Sequence, residues 1–195
     1  IGFVFDGTTM TRLGTLGGPD SHGLDINDIG QITGFSSIDV DGQIERAFLY
    51  ENGSMTDLGT LGGRHSSGDG INESGQVTGS SATADDEYHA FFYDGVTMHD
   101  LGTLGGERSW GNDINDAGQI IGGSYTDQTT NSHAFLYDGG ALVDLGTLGG
   151  PGSDAFAINN HGRIVGSASV SAFEQHAYLY DVRLGGMVDL NDYID

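Results

Sequence analysis

One phrase recurs along this chain and constrains its fold more than any other feature. The run Leu-Gly-Thr-Leu-Gly-Gly begins at Leu13, Leu58, Leu101 and Leu145, at spacings of 45, 43 and 44 residues, and a divergent fifth copy begins at Leu190. A steady period of this length is typical of a tandem array of one supersecondary unit. Single units are too small to bury a core, so we expect one domain over 1–195, with a half repeat at 1–18 and full repeats at 19–63, 64–106, 107–150 and 151–195.

Each full copy contains two hairpin signals and four candidate strands. In the copy that starts at Glu107, we expect strands over 109–115, 119–124, 133–138 and 142–148. Asn-Asp-Ala-Gly separates the first two, and it places Asx residues where a type I turn favours them and Gly at the left-handed position. The same Asn and Gly positions recur in all four copies, at Asn27 and Gly30, Asn72 and Gly75, Asn115 and Gly118, and Asn159 and Gly162.

The third candidate strand is apolar on both faces. Strand side chains alternate, so Phe135 and Tyr137 lie on one face while Ala134 and Leu136 lie on the other. A sandwich strand usually keeps one face in solvent, whereas a propeller blade is packed between two neighbours. The pattern therefore favours an all-β fold, a β-propeller of four-stranded blades, with a β-solenoid-like repeat array as the alternative.

The number of strand pairs predicts about five blades, one of them incomplete. The pair formed by the third and fourth strands occurs five times, starting near Phe3, Phe48, Phe91, Phe135 and Tyr178, whereas the pair formed by the first and second strands occurs four times. We expect the missing pair either to lie beyond Asp195 in a longer product or to come from another molecule.

The charge balance excludes some partners. Six Lys and Arg residues stand against 28 Asp and Glu, so the formal net charge is −22. Such a surface repels phosphate backbones, and we expect no nucleic-acid partner. No stretch approaches 18 apolar residues, so we expect no membrane insertion. Cysteine is absent, and the cellular compartment therefore cannot be inferred from disulfides.

The combined motif resembles a known family. His-Ala-Phe-Leu/Phe-Tyr-Asp begins at His89 and His133, and it is followed by Asp-Leu-Gly-Thr-Leu-Gly-Gly and then by Ile-Asn-x-x-Gly-Gln. This string is similar to the HAF repeat of probable extracellular bacterial proteins. The resemblance implies an extracellular or cell-surface location and supplies no catalytic residues. The sequence departs from the tripeptide at Ile1-Gly2-Phe3, Arg46-Ala47-Phe48 and His176-Ala177-Tyr178.

The candidate polar residues recur in every copy of the repeat. This recurrence argues against catalysis, because an active site needs groups with different roles at one place. Together with the acidic surface and the location that the resemblance implies, this predicts a secreted or surface-displayed, non-enzymatic repeat scaffold without a cofactor, able to form linear assemblies by strand addition at its incomplete blade. Its expected partners are further copies of itself, or extracellular matrix and glycans. The alternatives are a lectin-like propeller and, less favoured, a glycan-processing enzyme with a carboxylate pair found in one blade only.

Two groups of residues are candidate ligand sites. Two copies place carboxylate oxygens close together, as a calcium site would, at Asp25, Asp28, Asp113 and Asp116. Because the other two copies lack this set, calcium binding is the minority hypothesis for these residues. Trp110, the single Trp, is either a sugar-stacking platform or a filler between blades. Asn52-Gly53-Ser54 is a glycosylation sequon in a predicted turn.

The remaining recurrent polar residues are predicted to be structural. The Asn of each first hairpin is expected to cap backbone groups in its own turn. Three His residues begin the third strand on separate blades, which favours packing or hydrogen bonding over a shared metal; they are His89, His133 and His176. An Asp ends the fourth strand in every full copy and is expected to be part of the scaffold; these residues are Asp57, Asp100, Asp144 and Asp189.

Overall fold

The computed structural model describes residues 1–126 and 131–194, and their regular structure is antiparallel sheet followed by one short 3-10 helix at Leu190–Tyr193. The half blade pairs β1 (Phe3–Phe5) with β2 (Met10–Arg12). Blade 1 contains β3 (Ser21–Ile26), β4 (Ile32–Ser37), β5 (Glu45–Glu51) and β6 (Ser54–Asp57). Blade 2 contains β7 (Gly62–Ile71), β8 (Val77–Thr83), β9 (Tyr88–Tyr93) and β10 (Met98–Asp100).

Blades 3 and 4 repeat this arrangement. Blade 3 contains β11 (Ser109–Ile114), β12 (Ile120–Tyr125), β13 (Ser132–Tyr137) and β14 (Val143–Asp144). Blade 4 contains β15 (Ser153–Ile158), β16 (Arg163–Ser171), β17 (Glu174–Asp181) and β18 (Met187–Asp189). Every sheet is an antiparallel meander, and the first strands β3, β7, β11 and β15 contact one another in that order. The fold is therefore a multi-blade β-propeller with one incomplete blade, as the sequence predicts.

The turn of each first hairpin is tight and alike in all four blades. In blade 1 the Gly30 amide donates to the Asn27 carbonyl at 3.0 Å, and the Asn27 amide donates to the Gln31 carbonyl at 3.0 Å. Gly30 has a φ of 83°, a left-handed conformation that glycine adopts without steric cost. We call the face of the propeller with these turns the turn face, and the face with the blade-to-blade connections the crossover face.

Neighbouring blades pack large side chains against small ones. Phe91 of blade 2 is fully buried and shares a core cluster with Ala47 and Leu49 of blade 1. Tyr178 of blade 4 packs in the same way against Ala134 of blade 3. The two faces of the third strand thus pack against different neighbouring blades, as the alternation of side chains predicts. Each blade is therefore buried on both sides.

A buried serine joins each blade to the preceding one. The Ser66 hydroxyl oxygen accepts from the Ala47 amide at 2.9 Å and donates to the Gly59 carbonyl at 2.6 Å. One hydroxyl therefore satisfies two backbone groups that would otherwise be buried without partners. The equivalent residues in the other blades make the same two bonds, and they are Ser21, Ser109 and Ser153.

The Leu-Gly-Thr-Leu-Gly-Gly run is a crossover rather than a strand. In blade 3 the fourth strand ends at Asp144, so the predicted strand 142–148 is wrong beyond that residue. The Asp144 carboxylate accepts from the Gly146 amide at 2.7 Å, and Gly146 has a φ of 78°, which turns the chain out of the sheet. Likewise β2 of the half blade ends at Arg12, before the run that begins at Leu13.

The half blade leaves an apolar surface uncovered. Phe3 is 58% exposed, whereas Phe48 at the same repeat position is 0% exposed. Phe3, Phe5 and the first strand of blade 1 line an open cavity of about 260 Å³. That the missing pair lies beyond Asp195 stays a prediction, and Asp195 is itself outside the described residues. So are residues 127–130, which follow β12 in the sequence and precede β13. Among the described residues no helix is long and apolar enough to cross a bilayer.

Candidate functional site

The first-hairpin turns of all four complete blades converge around one cavity on the turn face. Its volume is about 310 Å³, and we call it the mouth. The residue after the turn Asn forms its rim in each blade, and the four rim residues are Asp28, Glu73, Asp116 and Asn160. Three of these four side chains are carboxylates, and all four are exposed. The mouth is therefore an acidic opening with contributions from every complete blade.

Hydrogen bonds hold the rim side chains in place from blade to blade. The Asp28 amide donates to the Glu73 carboxylate at 2.9 Å, and the Glu73 amide donates to the Asp116 carboxylate at 3.0 Å. The Asp116 amide in turn donates to the Asn160 side-chain oxygen at 2.9 Å. The Glu73 and Asp116 carboxylates are thus held near the opening instead of sampling many rotamers, so binding a positively charged group there costs less side-chain entropy.

A second ladder lies beneath the rim. The Asn27 Oδ1 accepts from the Gln31 amide at 2.9 Å within its own turn, while its Nδ2 donates to the Asn72 carbonyl of the next blade at 3.0 Å. Asn72 donates to the Asn115 carbonyl at 3.0 Å, and Asn115 donates to the Asn159 carbonyl at 3.2 Å. The turn Asn residues therefore both cap their own hairpins and join neighbouring blades.

The four Asp residues of the calcium hypothesis separate into two kinds. Asp28 and Asp116 belong to the rim. Asp25 accepts from the Ile26 and Ile71 amides at 2.8 and 2.9 Å, and Asp113 accepts from the Ile114 and Ile158 amides, both at 2.8 Å. In residues 1–126 and 131–194 no group of three or more His, Cys, Asp or Glu side chains is placed to hold a metal ion.

Two further carboxylates on the inner strands are half-buried and are not repeated in the other blades. Burial raises the pKa of Asp69 to about 6, although the Ser67 hydroxyl donates to it at 2.7 Å. Burial also raises the pKa of Asp154 to about 6, against hydrogen bonds from Trp110 and Asn112. Shifted carboxylates of this kind occur at functional sites, but these two have separate partners in different blades.

Trp110 lies between blades 3 and 4 beside Asp154. Its ring stands edge-on to Tyr125, with ring centroids 5.8 Å apart and an interplanar angle of 87°. A Cβ atom on Gly123, the cross-strand partner of Trp110, would come within 2.5 Å of the indole ring. Gly123 has no side chain, and the half-buried indole of Trp110 occupies the space beside it. This is the geometry of a side chain that fills the gap between two blades.

The His and Asp residues of the repeat form pairs on the crossover face. His133 Nδ1 lies 2.8 Å from the Asp144 carboxylate, and His176 Nδ1 lies 2.6 Å from the Asp189 carboxylate. His89 and Asp100 form the same pair at 2.9 Å. Hydrogen bonds that the His176 ring donates to Asp189 and then to Glu174 raise the pKa of His176. Blade 1 has Arg46 at this position, and its Asp57 accepts from the Gly59 amide at 2.7 Å.

Sequence reasoning missed the rim as a site. Glu73 and Asn160 are not among the candidate residues of the sequence, although an acidic or amide side chain follows the turn Asn in all four copies. That recurrence was the available signal. It could not reveal convergence, because residues about one period apart meet only when the blades stack around a common axis.

Comparison with known proteins identifies the fold and no family. No family model matches this sequence, and no curated protein matches it. Among solved structures the chain is similar to TolB from Acinetobacter baumannii, with 13% identity and a TM-score of 0.62 over 95% of this chain and 46% of that one. It is also similar to the β-propeller domain of the Trilobed protease from Pyrococcus furiosus, which is described as having an open velcro topology (13% identity, TM-score 0.58, 90% of this chain and 55% of that one).

Part of a peptidase is also similar to this chain. The acylaminoacyl peptidase from Pyrococcus horikoshii matches with 15% identity and a TM-score of 0.55 over 89% of this chain and 27% of that one. This chain therefore spans about half the length of the TolB and protease propellers, and less of the peptidase.

These similarities overturn the functional prediction made from the sequence. The sequence predicts a secreted, non-enzymatic scaffold from the equivalence of its copies, its acidic charge and its resemblance to the HAF repeat, and it predicts linear assembly from the incomplete blade. An open propeller also occurs as a domain of a protease, so openness does not indicate assembly, and the scaffold prediction is wrong. Membership of the HAF-repeat family and an extracellular location stay predictions.

Proposed function

We propose that this propeller is a non-catalytic polypeptide-binding module that holds a basic segment at the mouth. The single observation that carries the proposal is the convergence of Asp28, Glu73 and Asp116, from three successive blades, on one cavity. Lys and Arg side chains complement such a rim, and the net charge of −22 attracts basic segments from a distance.

Three Ile side chains line the mouth but add little exposed apolar surface. Ile71, Ile114 and Ile158, one from each of blades 2 to 4, are 6%, 4% and 8% exposed. Long basic side chains place their methylene stems on apolar surface while the charged end stays near carboxylates. The Ile edges offer such stems only a small contact, so the rim carboxylates carry the proposal. Self-association and matrix or glycan partners stay predictions of the sequence.

The test uses a dye-labelled nonapeptide of alternating Gly and Lys, with a Gly and Gln peptide as the neutral probe. The mouth variant combines Asp28→Asn, Glu73→Gln and Asp116→Asn, which keep one side-chain oxygen for each rim hydrogen bond from a backbone amide. We expect it to bind the Lys peptide about tenfold more weakly, because three exposed ion pairs of ordinary strength are lost.

The matched control removes three carboxylates from the crossover face. Asp41→Asn, Asp85→Asn and Glu107→Gln are exposed and change the net charge by the same amount. The control variant should bind within twofold of the unmodified protein. Equal weakening by both triple variants would show that the peptide responds only to total charge, and the proposal would be rejected.

A further inference from the structure

A second cavity lies beside the mouth, between blades 2 and 3 on the turn face. Its volume is about 370 Å³, and Phe92, Tyr137, Asp138 and Gln76 line it together with Asp116. Asp116 also lines the mouth, so the two cavities share a wall. We call this second cavity the aromatic groove. A peptide segment bound across the mouth can pass Asp116 and reach the aromatic groove without crossing a blade.

The two aromatic side chains form one continuous wall. The ring centroids of Phe92 and Tyr137 are 6.4 Å apart, with an interplanar angle of 40°. Tyr occupies the position of Tyr137 in every complete blade, but Phe92 stands where the other three have Leu, at Leu49, Leu136 and Leu179. Among the complete blades, blade 2 alone therefore presents this aromatic pair to the next blade.

Asp138 differs from the carboxylates at its own repeat position. Glu51 accepts from the Gln31 side chain at 2.9 Å, Asp94 lies 2.8 Å from His99 Nε2, and Asp181 accepts from Arg183 at 2.7 Å. Within residues 1–126 and 131–194, the Asp138 carboxylate has no such partner. It is exposed at the edge of the aromatic groove and is available to a group from outside.

We propose that the aromatic groove binds an arginine side chain of the basic segment and makes the module selective for Arg over Lys. This inference rests on the proposed function. A guanidinium is planar, so it stacks on aromatic faces and still donates to a carboxylate at its edge, whereas an ammonium is a compact and strongly hydrated charge. Phe92 and Tyr137 provide the stacking surface, and Asp138 provides the carboxylate.

The experiment compares the Gly and Lys nonapeptide with a Gly and Arg nonapeptide of the same charge. The unmodified protein should bind the Arg peptide about fivefold more tightly, since stacking adds to charge pairing. Phe92→Leu restores the residue of the other blades and should bring the affinity ratio close to one. Asp138→Asn should lower the ratio of Arg-peptide to Lys-peptide affinity, because Asn has the shape of Asp but lacks its charge. Phe173→Leu, at a fully exposed position on the crossover face, is the matched control and should preserve the ratio.

The outcomes separate the two proposals. Equal affinity for the two peptides, or a ratio that survives both Phe92→Leu and Asp138→Asn, overturns the arginine site and leaves peptide binding at the mouth in place. If neither peptide binds, the proposed function fails and the arginine site fails with it. Thermal denaturation of each variant shows whether the fold is intact, and Phe92→Leu should retain it because Leu occupies this position in three blades.

Discussion

The Asn72 side-chain nitrogen donates to the Asn115 carbonyl of the next blade at 3.0 Å, while its oxygen accepts from the Gln76 amide at 3.0 Å in its own turn. One buried amide therefore closes a hairpin and joins two blades. Because buried polar groups that lose their partner are costly, this residue supports both local and tertiary structure.

Asn72→Asp should destabilise the protein by about 2–3 kcal/mol, since it removes the donor to Asn115 and places a charge at a site that is 3% exposed. Asn159→Asp is the exposed control. The Asn159 oxygen accepts from the same two backbone amides of its own turn, but in the described residues its nitrogen lacks both the carbonyl of a further blade and the side-chain oxygen that Asn72 contacts at Gln76. Chemical denaturation should show a loss of less than about 1 kcal/mol for the control. Equal losses would mean that the burial of Asn72 and the two hydrogen bonds that its nitrogen donates contribute nothing.

Phe48→Ala should destabilise the protein by about 3–5 kcal/mol, because it opens a cavity between blades. Phe3→Ala changes the same repeat position in the half blade, where the ring is 58% exposed, and should cost less than about 1 kcal/mol. Urea denaturation measures both values. A large loss for Phe3→Ala would show that the half blade is covered in solution.

Asp69→Asn should stabilise the protein at neutral pH. Burial raises the pKa of Asp69 from 3.8 to about 6, so the folded state disfavours its charged form, and the contribution of Asp69 to stability falls as the pH rises from about 4 to about 6. The variant should gain on the order of 2 kcal/mol at pH 7.5 and nothing at pH 4. Denaturation at both pH values tests this, with Asp41→Asn as the exposed control. A gain that is the same at both pH values would contradict burial as the cause.

Asp189→Asn should lower the pKa of His176. Hydrogen bonds to Asp189 and Glu174 raise the pKa of His176, and the bond to His176 lowers the pKa of Asp189. Because the His176 pKa is higher in the folded state, the pair stabilises the folded state fully at a pH below the pKa of the unfolded state. This contribution is lost as the pH rises through the pKa of the folded state. On the acid side the pair is lost when Asp189 is protonated.

Titration of the His176 ring followed by NMR gives the measurement. Asp192→Asn removes a nearby exposed carboxylate and serves as the control. The His176 pKa should move down in Asp189→Asn and stay in place in Asp192→Asn. An unchanged value in the first variant would show that the 2.6 Å contact does not persist in solution.

Local chemistry explains why much of the fold could be read from one copy of the repeat. The Asn-x-x-Gly turn specifies a hairpin within four residues, and alternation at Phe135 and Leu136 specifies a strand buried on both faces. The crossover could not be read so well, since Leu, Thr and Gly suit a strand end as well as an exit from the sheet. Only the Asp144 bond to the Gly146 amide and the Ser153 bonds across blades distinguish the two.

The sequence by itself determined the period, the two hairpins of each copy, the blade architecture and the acidic charge, because these depend on residues close together in the chain. Tertiary structure alone decided which polar groups meet. Asp28 and Glu73 are 45 residues apart, and Phe92 and Tyr137 are separated by the same interval, so they make contact only when blades stack. The mouth, the aromatic groove and the shifted pKa of Asp69 follow from that stacking, since each depends on a neighbouring blade to bring a partner or to exclude water.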